Sequence, residues 1–254
     1  MSQVFDAYAA YYDLLYRDKD YAGEAAFVRD LLRQQGIESG EILELGCGTG
    51  KHAFHLAQMG CRMQGVDISP AMVASARAQL PVTLKNQVAF EVGDVRSVRL
   101  AQKFDAVISL FHVASYQTTN DDIAAMFQTA AQHLNAGGVF VFDCWYGPAV
   151  LTDRPAVRVK HLDSEAVNVL RIAEPVMYPN DNSVDVNYTV LVTQANGEQT
   201  NTIRESHRMR YFFTPELRLL LAESGFELVS MVEWMSNREP GFSTWSVAIV
   251  AVRN

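Results

Sequence analysis

Three glycines at alternate positions, Gly46, Gly48 and Gly50, follow a short apolar strand that contains Glu44. Glycine adopts backbone angles closed to other residues and lets a ligand approach the main chain closely. The residues after them, 51–57, have the apolar spacing of a short helix. A glycine turn between a strand and a helix is a place to hold a nucleotide-like ligand. An ordinary strand-to-helix turn without a ligand is the structural alternative.

The glycine spacing separates the kinds of nucleotide site. A P-loop needs glycine, four residues and then Gly-Lys-Ser/Thr, but Leu45 stands in the first glycine's place and His52 follows Lys51. The dinucleotide fingerprint G-x-G-x-x-G has its third glycine one residue later than Gly50. What remains is an acidic-x-G-x-G-x-G pattern, with Glu44 before the glycines and Cys47 between the first two.

The second and third predicted strands end in acidic residues. Asp67 follows strand 62–66, close to where nucleotide-binding folds place an acid for ribose hydroxyls. Ile68 comes next, and Ser69-Pro70 begins a helix that carries Met72 in its first turn. Met72 is either a ligand contact or a core residue. Gly93, Asp94 and Val95 follow strand 88–92, and Asp94 is either a ligand contact or a solvated turn residue.

A fourth strand, 104–110, ends at Leu110 and leads into Phe111, His112 and Tyr116. Ligands of open α/β sheets bind beyond the carboxyl ends of the strands. This rule predicts that the three side chains after Leu110 lie near the reacting centre. His112 could equally be a structural histidine with satisfied hydrogen bonds.

The elements that position these residues alternate between strand and helix over the first 149 residues. This alternation predicts an α/β fold with a doubly wound, mostly parallel seven-stranded sheet, which strands 226–234 and 244–252 complete. Residues 150–212 lack a helical pattern and predict antiparallel strands at 156–161, 167–172, 183–193 and 200–212, with a hairpin turn at Asn196-Gly197. We therefore expect one domain of residues 1–149 and 213–254, with a small antiparallel β insertion, 150–212, that covers the substrate or contributes to a dimer.

Composition limits the class of partner. A formal net charge of −8 argues against nucleic acid, and 49% apolar residues support a full core. The sequence shows neither a secretory signal nor an apolar run long enough for a membrane span, so we expect a cytoplasmic protein. Cys47, Cys61 and Cys144 are odd in number and widely spaced, which predicts reduced thiols and no metal site.

The motifs together resemble the class I S-adenosylmethionine (SAM) methyltransferases. The resemblance rests on Glu44–Gly50, Asp67, the Gly-Asp-Val turn at 93–95 and the Gly-Gly turn before Val139. It implies SAM as cofactor, S-adenosylhomocysteine as product, Met72 over the adenine, Asp94 accepting from the adenine amino group and the Val95 N–H against the ring. The cofactor-binding residues that follow are Tyr21, Glu44, Gly46, Cys47, Gly48, Gly50, Asp67, Ile68, Met72, Asp94, Val95 and Leu110.

More narrowly, the chain is similar to the sugar N,N-dimethyltransferases that finish deoxyamino sugars on a nucleotide carrier. The similarity lies in 12–14, 19–22, the β insertion and 205–208. In that family an arginine before the last strand is thought to meet the nucleotide diphosphate, whereas 240–245 contains none and Arg238 lies close by. Whether the acceptor is nucleotide-linked therefore stays open. The resemblance also implies a homodimer.

We expect methyl transfer to a small molecule, most simply at an amino nitrogen, because a neutral amine needs little activation. The expected catalytic residues are Tyr21, His112 and Tyr116. The expected substrate-binding residues are Tyr12, Phe111, His112, Tyr116, His207 and Arg208. Methylation of glycine, of another small amine or of a hydroxylated metabolite is an alternative. A SAM-binding protein whose β insertion serves a partner is a second alternative, of a different class.

Overall fold

The structure is a computed structural model that describes residues 15–163, 167–194 and 199–254. Tyr12, expected to bind substrate, and the turn expected at Asn196-Gly197 lie outside this part of the chain. The helices are α1 (Tyr21–Gln34), α2 (Lys51–Gln58), α3 (Pro70–Gln79), α4 (Asn120–His133), α5 (Gly147–Thr152) and α6 (Thr214–Glu223). The strands are β1 (Glu41–Leu45), β2 (Arg62–Asp67), β3 (Val88–Val92), β4 (Phe104–Ser109), β5 (Leu134–Tyr146), β6 (Arg158–Asp163), β7 (Val167–Tyr178), β8 (Ser183–Gln194), β9 (Thr200–Phe212), β10 (Phe226–Glu233) and β11 (Ser246–Arg253).

Seven of these strands form the predicted α/β sheet, in the order β3-β2-β1-β4-β5-β11-β10. The first five run parallel, and β11 pairs antiparallel with both β5 and β10. Apolar residues of α1, α2 and α3 fill one face of the sheet, and those of α4 and α6 fill the other. Both faces are thus buried, as the apolar strands require.

The four strands β6 to β9 form an antiparallel ladder in the order β9-β8-β7-β6. This ladder is continuous with the main sheet, because β9 pairs in parallel with the end of β5 through Trp145 opposite Tyr211 and Tyr146 opposite Phe212. The predicted insertion therefore extends the predicted seven-stranded sheet, which gives eleven hydrogen-bonded strands in all. The short helix α5 also enters the region 150–212, where the sequence predicted no helix.

The parallel strands β1, β2, β4 and β5 end at one edge of the sheet. Beyond this edge lies a cavity of about 270 Å³, which the insertion closes on one side through Val186, Tyr188, His207 and Met209. These four alternate along β8 and β9, so one face of the ladder looks onto the cavity. Among the helices of the described residues, none is long and apolar enough to cross a membrane.

Candidate active site

The glycine turn after β1 has an unusual backbone. Gly46, Gly48 and Gly50 have φ of +82°, +52° and +78°, a region that favours glycine. A Cβ on Gly46 would lie 2.5 Å from Val113, and one on Gly50 would lie 2.5 Å from Phe90, so these two positions are also closely packed. A Cβ on Gly48 would meet nothing within 4 Å. The open space over Gly48 therefore fits a ligand that runs along the main chain, as a nucleoside cofactor would.

Asp67, at the end of β2, holds the turn from the side. Its Oδ2 accepts from the Gly48 N–H at 2.8 Å, and its Oδ1 accepts from the Ser69 N–H at 2.9 Å. Burial raises the pKa of this carboxyl, while the two backbone hydrogen bonds lower it. Asp67 lines the cavity, and each carboxylate oxygen keeps a lone pair for another donor. It is therefore placed to accept from hydroxyl groups of a ligand over Gly48.

Glu44 lies beneath the turn and does not line the cavity. Its side chain is 1% exposed, with Oε1 3.7 Å from His52 Nδ1. Burial, reinforced by the nearby Asp67 carboxylate, raises the pKa of Glu44 to about 8. The expectation that Glu44 and Gly50 contact the cofactor directly does not match this geometry: the first supports the turn from below, and the second packs against Phe90.

A buried polar chain joins this support to the first helix. His52 Nε2 lies 2.7 Å from Glu24 Oε2, and Glu24 also pairs with Lys19. These bonds, which more than offset the effect of burial, lower the pKa of Glu24 to about 2. The ring of Tyr21, the first residue of α1, packs edge-on against His52 at 5.1 Å between centroids. This polar network thus holds Tyr21 at the cavity wall, where the sequence predicted it.

Asp94 also lines the cavity, but its carboxylate is largely engaged. Arg96 binds it through Nε and Nη2, at 3.0 and 2.6 Å, and also pairs with Asp122 at 2.7 Å. The hydrogen bonds from Arg96 hold the pKa of Asp94 below its usual value. An adenine amino group at Asp94 would therefore share the carboxylate with Arg96.

The segment after β4 carries the most strained backbone of the site. Phe111 and His112 have φ of +65° and +64°, conformations that cost a non-glycine residue about 1–3 kcal/mol each. Asp143, at 1% exposure on β5, holds this segment by accepting from the His112 N–H at 3.0 Å. The second carboxylate oxygen lies 2.7 Å from His112 Nδ1, an ion contact without hydrogen-bond alignment. The ring of His112 is thereby set against the cavity with a carboxylate behind it.

A second histidine–carboxylate pair, His207 with Glu205, comes from the insertion, and its histidine lines the same cavity. Tyr116 Oη lies 2.7 Å from His207 Nδ1, and His207 Nε2 lies 3.0 Å from Glu205 Oε2. Burial first, and then the neighbouring Tyr16, Tyr188 and Glu205, raise the pKa of Tyr116 well above its ordinary value. Its hydroxyl therefore stays protonated at neutral pH.

The structure brings most of the predicted site residues to one cavity. Those that line it are Tyr21, Gly46, Cys47, Gly48, Asp67, Ile68, Met72, Asp94, Val95, Leu110, Phe111, His112, Tyr116 and His207. Arg208 was predicted to bind substrate, but it does not line the cavity. It follows His207 on β9 and projects from the opposite face, where its side chain is 46% exposed and lies 3.4 Å from Asp181. It does not reach the substrate side of the sheet.

Several residues that line the cavity were not predicted from the sequence. They are Tyr16, Thr49, Lys51, His52, Arg96, Val113, Gln117, Trp145, Val186, Tyr188 and Met209, with Asp143 and Glu205 behind the two histidines. The rule about strand ends could have found Asp143 and Trp145, which close β5. The period of two around His207 could have found Glu205 and Met209.

Comparison with known proteins agrees with this geometry. A family described as "Methyltransferase domain" matches residues 42–138. The dTDP-3-amino-3,4,6-trideoxy-alpha-D-glucopyranose N,N-dimethyltransferase of Streptomyces venezuelae is 34% identical over 72% of this chain and 76% of its own length. The crystal structure of Streptomyces venezuelae DesVI superposes with a TM-score of 0.80 at 28% identity, covering 97% of this chain and 98% of that one.

The structure of SAM-bound CalS10, an amino pentose methyltransferase from Micromonospora echinaspora, gives a TM-score of 0.76 at 27% identity, with 98% of each chain covered. The open groove over Gly48, the acid at Asp67 and these likenesses lead to the same conclusion. This chain belongs to the class I SAM-dependent methyltransferases, and SAM is its cofactor.

Proposed function

We propose that this enzyme transfers methyl groups from SAM to the amino nitrogen of a deoxyamino sugar. The observation that carries the proposal is the acceptor end of the cavity, the part bounded by Tyr16, Phe111, His112, Trp145 and Tyr188. Aromatic rings give the flat apolar faces on which the C–H surface of a sugar packs. The similarity to the Streptomyces venezuelae N,N-dimethyltransferase, which acts on a dTDP-linked amino sugar by its name, supports the same class of acceptor.

The carboxylates of the acceptor end favour an amine. Among the described residues that line the cavity, the lysine and arginine are Lys51 and Arg96, which belong to the glycine turn and the Asp94 turn. The acceptor end instead has the carboxylates of Asp143 and Glu205 behind its histidines. The two carboxylates attract an ammonium group.

Two cations also lie against rings of the acceptor end, Lys19 at 4.3 Å from the Phe111 centroid and Arg171 at 5.2 Å from the Tyr188 centroid. The preference for an amine therefore rests on the carboxylates, and glycine is tested directly below.

Proton transfer at the nitrogen is the step that the side chains must serve. Bound SAM supplies the activated methyl group and its leaving group. The nitrogen attacks with its lone pair and must lose one proton for each methyl group it gains. His112 accepts this proton, and Asp143 stabilises the imidazolium by its 2.7 Å ion contact. Tyr21 closes the wall beside the glycine turn and keeps the reacting groups together.

Matched acceptors test this proposal. The purified enzyme is incubated with methyl-labelled SAM and a dTDP-linked 3-amino-deoxy sugar, the same sugar with a hydroxyl in place of the amine, or glycine. Mass spectrometry should find methyl groups on the amino sugar and none on the other two. Methylation of the hydroxyl analogue would instead favour O-methylation, and methylation of glycine alone would refute the amino-sugar proposal. Binding of SAM without turnover on any of them, or on a metabolite extract, would favour a non-enzymatic role.

We also propose that the enzyme is a cytoplasmic homodimer in which the insertion, residues 150–212, covers the substrate and contributes to the interface. Its edge strand β6 is flanked by the exposed Val157 and carries the exposed Val159, at 62% and 55%, and exposed edges favour pairing. Cys47, Cys61 and Cys144 are unpaired and buried, as suits a reducing compartment. Light scattering should give twice the 28.3 kDa mass of one chain; a single-chain mass at high concentration would contradict the dimer.

A further inference from the structure

Asp122 is an acidic side chain outside the cavity that is linked to a residue inside it. It lies in the first turn of α4, three residues after the N-cap Thr119, and its Oδ1 accepts from Arg96 Nη1 at 2.7 Å. Arg96 lines the cavity, whereas Asp122 does not. Methyl transfer makes no direct use of a carboxylate outside the cavity, but Asp122 can act on the cavity through Arg96.

Arg96 is clamped between two carboxylates. Its Nη1 binds Asp122, and its Nε and Nη2 bind Asp94 at 3.0 and 2.6 Å. A guanidinium is planar and carries its donors in a rigid fork, so partners on two of its edges fix both its position and its orientation. The hydrogen bonds from Arg96 lower the pKa of Asp94 and that of Asp122, so both carboxylates are ionised at neutral pH. The three side chains together therefore carry an excess of negative charge.

The clamp leaves a defined part of Asp94 for a ligand. Oδ1 accepts from the Arg96 backbone N–H at 2.9 Å and from Arg96 Nε at 3.0 Å, which uses both of its lone pairs. Oδ2 has Arg96 Nη2 as its close donor, at 2.6 Å, and shares the Nε hydrogen at a longer 3.2 Å. Oδ2 is therefore the oxygen that can accept a further hydrogen bond from the cavity.

The position of Asp94 indicates which part of SAM would supply that hydrogen bond. Val92, which lies opposite Asp67 in the pairing of β2 with β3, is two residues before Asp94. A SAM molecule whose ribose lies at Asp67 can therefore extend its base over the end of β3. The amino group is the one hydrogen-bond donor of the adenine ring, and an ionised carboxylate only accepts hydrogen bonds.

We propose that Asp122 is a positioning residue for cofactor recognition: by holding Arg96, it keeps Asp94 directed at the adenine amino group and keeps the cluster anionic. Without Asp122, the guanidinium would lose the partner on its outer edge and could turn against Asp94. The remaining ion pair would be neutral overall, and a hydrogen bond to it would gain less from charge. The inference depends on SAM as cofactor and not on the proposed amino sugar. The competing explanation is a structural tie between the 93–96 turn and α4.

Two ligands that differ in one group separate these explanations. Calorimetry gives the Kd of the purified enzyme for S-adenosylhomocysteine and for its deamino analogue, in which hydrogen replaces the adenine amino group. The ratio of the two Kd values measures the contribution of that group alone. Asp122→Ala is the test variant. Asp121→Ala, an exposed carboxylate in the same helical turn, is the matched control, because it removes the same charge beside the helix N-terminus. Asp94→Ala gives the ratio without the acceptor.

We expect the wild type to bind S-adenosylhomocysteine about tenfold or more tightly than the deamino analogue, which lacks the hydrogen bond to a charged acceptor. Asp122→Ala should lower this ratio about threefold or more, with the Kd of the analogue nearly unchanged. Asp121→Ala should keep the wild-type ratio. In an Asp94→Ala background, Asp122→Ala should leave the ratio unchanged. A wild-type ratio in Asp122→Ala, even with both ligands bound more weakly, would overturn the inference and leave Asp122 as a structural tie.

Arg96→Lys tests the same link from its other side and decides the question if circular dichroism shows that Asp122→Ala does not fold. Lysine keeps the charge, but its single ammonium lacks the fork that spans both carboxylates, so the ratio should again fall. An unchanged ratio in Arg96→Lys would overturn the inference, as would equal affinity of the wild type for the two ligands. These measurements involve no methyl acceptor, so their failure leaves the amino-sugar proposal standing, and a failure of that proposal leaves this one standing.

Discussion

The two ends of the cavity are built by different means. At the glycine turn, the main chain itself forms the site, and one side chain, Asp67, holds it through backbone hydrogen bonds to Gly48 and Ser69. At the acceptor end, the groups are side chains delivered by elements far apart in sequence, since His207 meets Tyr116 across 91 positions. A local turn is suited to a cofactor of fixed shape, whereas walls from several elements allow the acceptor to differ between related enzymes.

The two ends also treat charge differently. The glycine turn has Lys51 and Arg96 beside Asp67 and Asp94, a mixed set for the polar parts of a nucleoside. The acceptor end sets aromatic rings in front and carboxylates behind its two histidines, which under the proposed function serve an amine that must lose protons. If this division is correct, substitutions at one end should change cofactor affinity and those at the other should change turnover.

The largest effect is expected from His112→Asn. Asparagine tolerates the left-handed backbone that His112 occupies, so the loop should keep its shape. Loss of a general base typically costs about 10²–10⁴-fold in rate, and we expect kcat to fall within this range. Calorimetry should show SAM binding as in the wild type. A large loss of SAM affinity would mean that His112 belongs to the cofactor end, and the division between the two ends would be wrong.

Asp67→Ala makes the reciprocal change. Hydrogen bonds to a charged acceptor contribute about 1.5–3 kcal/mol each, so removing the carboxylate should weaken SAM about tenfold or more. Because Asp67 also accepts from the Gly48 N–H, part of the loss will come from the turn itself. At saturating SAM, kcat should recover most of its wild-type value. Unchanged affinity in calorimetry would refute the ribose-binding role of Asp67.

The same division explains what the sequence could predict. The seven strands of the main sheet, the glycine turn and Asp67 follow from local patterns, and the structure has them where the patterns predicted. The pairing of β9 with β5 could not be predicted, because two residue pairs at the end of a long strand leave no periodic signal. The period of two places Glu205 on the same strand face as His207, but the burial of that face depends on packing against β8 and the cavity, which local patterns do not show.

Substitution of Glu44 should have a smaller effect, which changes the pH dependence of stability and leaves turnover unchanged. In the folded protein its pKa is raised to about 8 from an ordinary 4.5, so the folded state holds this proton more tightly than the unfolded chain. The stability this confers is fully present below pH 4.5 and is lost as the pH rises through about 8. Glu44→Gln cannot lose a proton and should escape that loss.

Thermal unfolding of SAM-free wild type and Glu44→Gln between pH 5 and about 8.5 checks this prediction. As the pH rises, the Tm of the variant should increase relative to that of the wild type, by about 2–4 °C for each kcal/mol of stability that the wild type loses. His52 has a pKa lowered by burial, which acts in the opposite direction over part of this range. The difference between the two proteins is therefore the quantity to follow. Parallel curves would show that Glu44 does not change its ionisation in the folded protein over this range, and would contradict the prediction.

Arg208→Ala should have the smallest effect and is the sharpest check on which face of the ladder meets the substrate. Arg208 packs over the Tyr178 ring at 4.7 Å and pairs with Asp181 and Asp185, all on the face away from the cavity. Exposed pairs of this kind contribute about 0–1 kcal/mol, so the variant should fold with little loss of stability.

Since the adjacent His207 faces the cavity, His207→Ala is its matched partner and should lower turnover. Steady-state kinetics with the amino sugar should give wild-type KM and kcat for Arg208→Ala. A raised KM would mean that Arg208 binds an anionic part of the acceptor, and that the substrate extends around the ladder to its outer face.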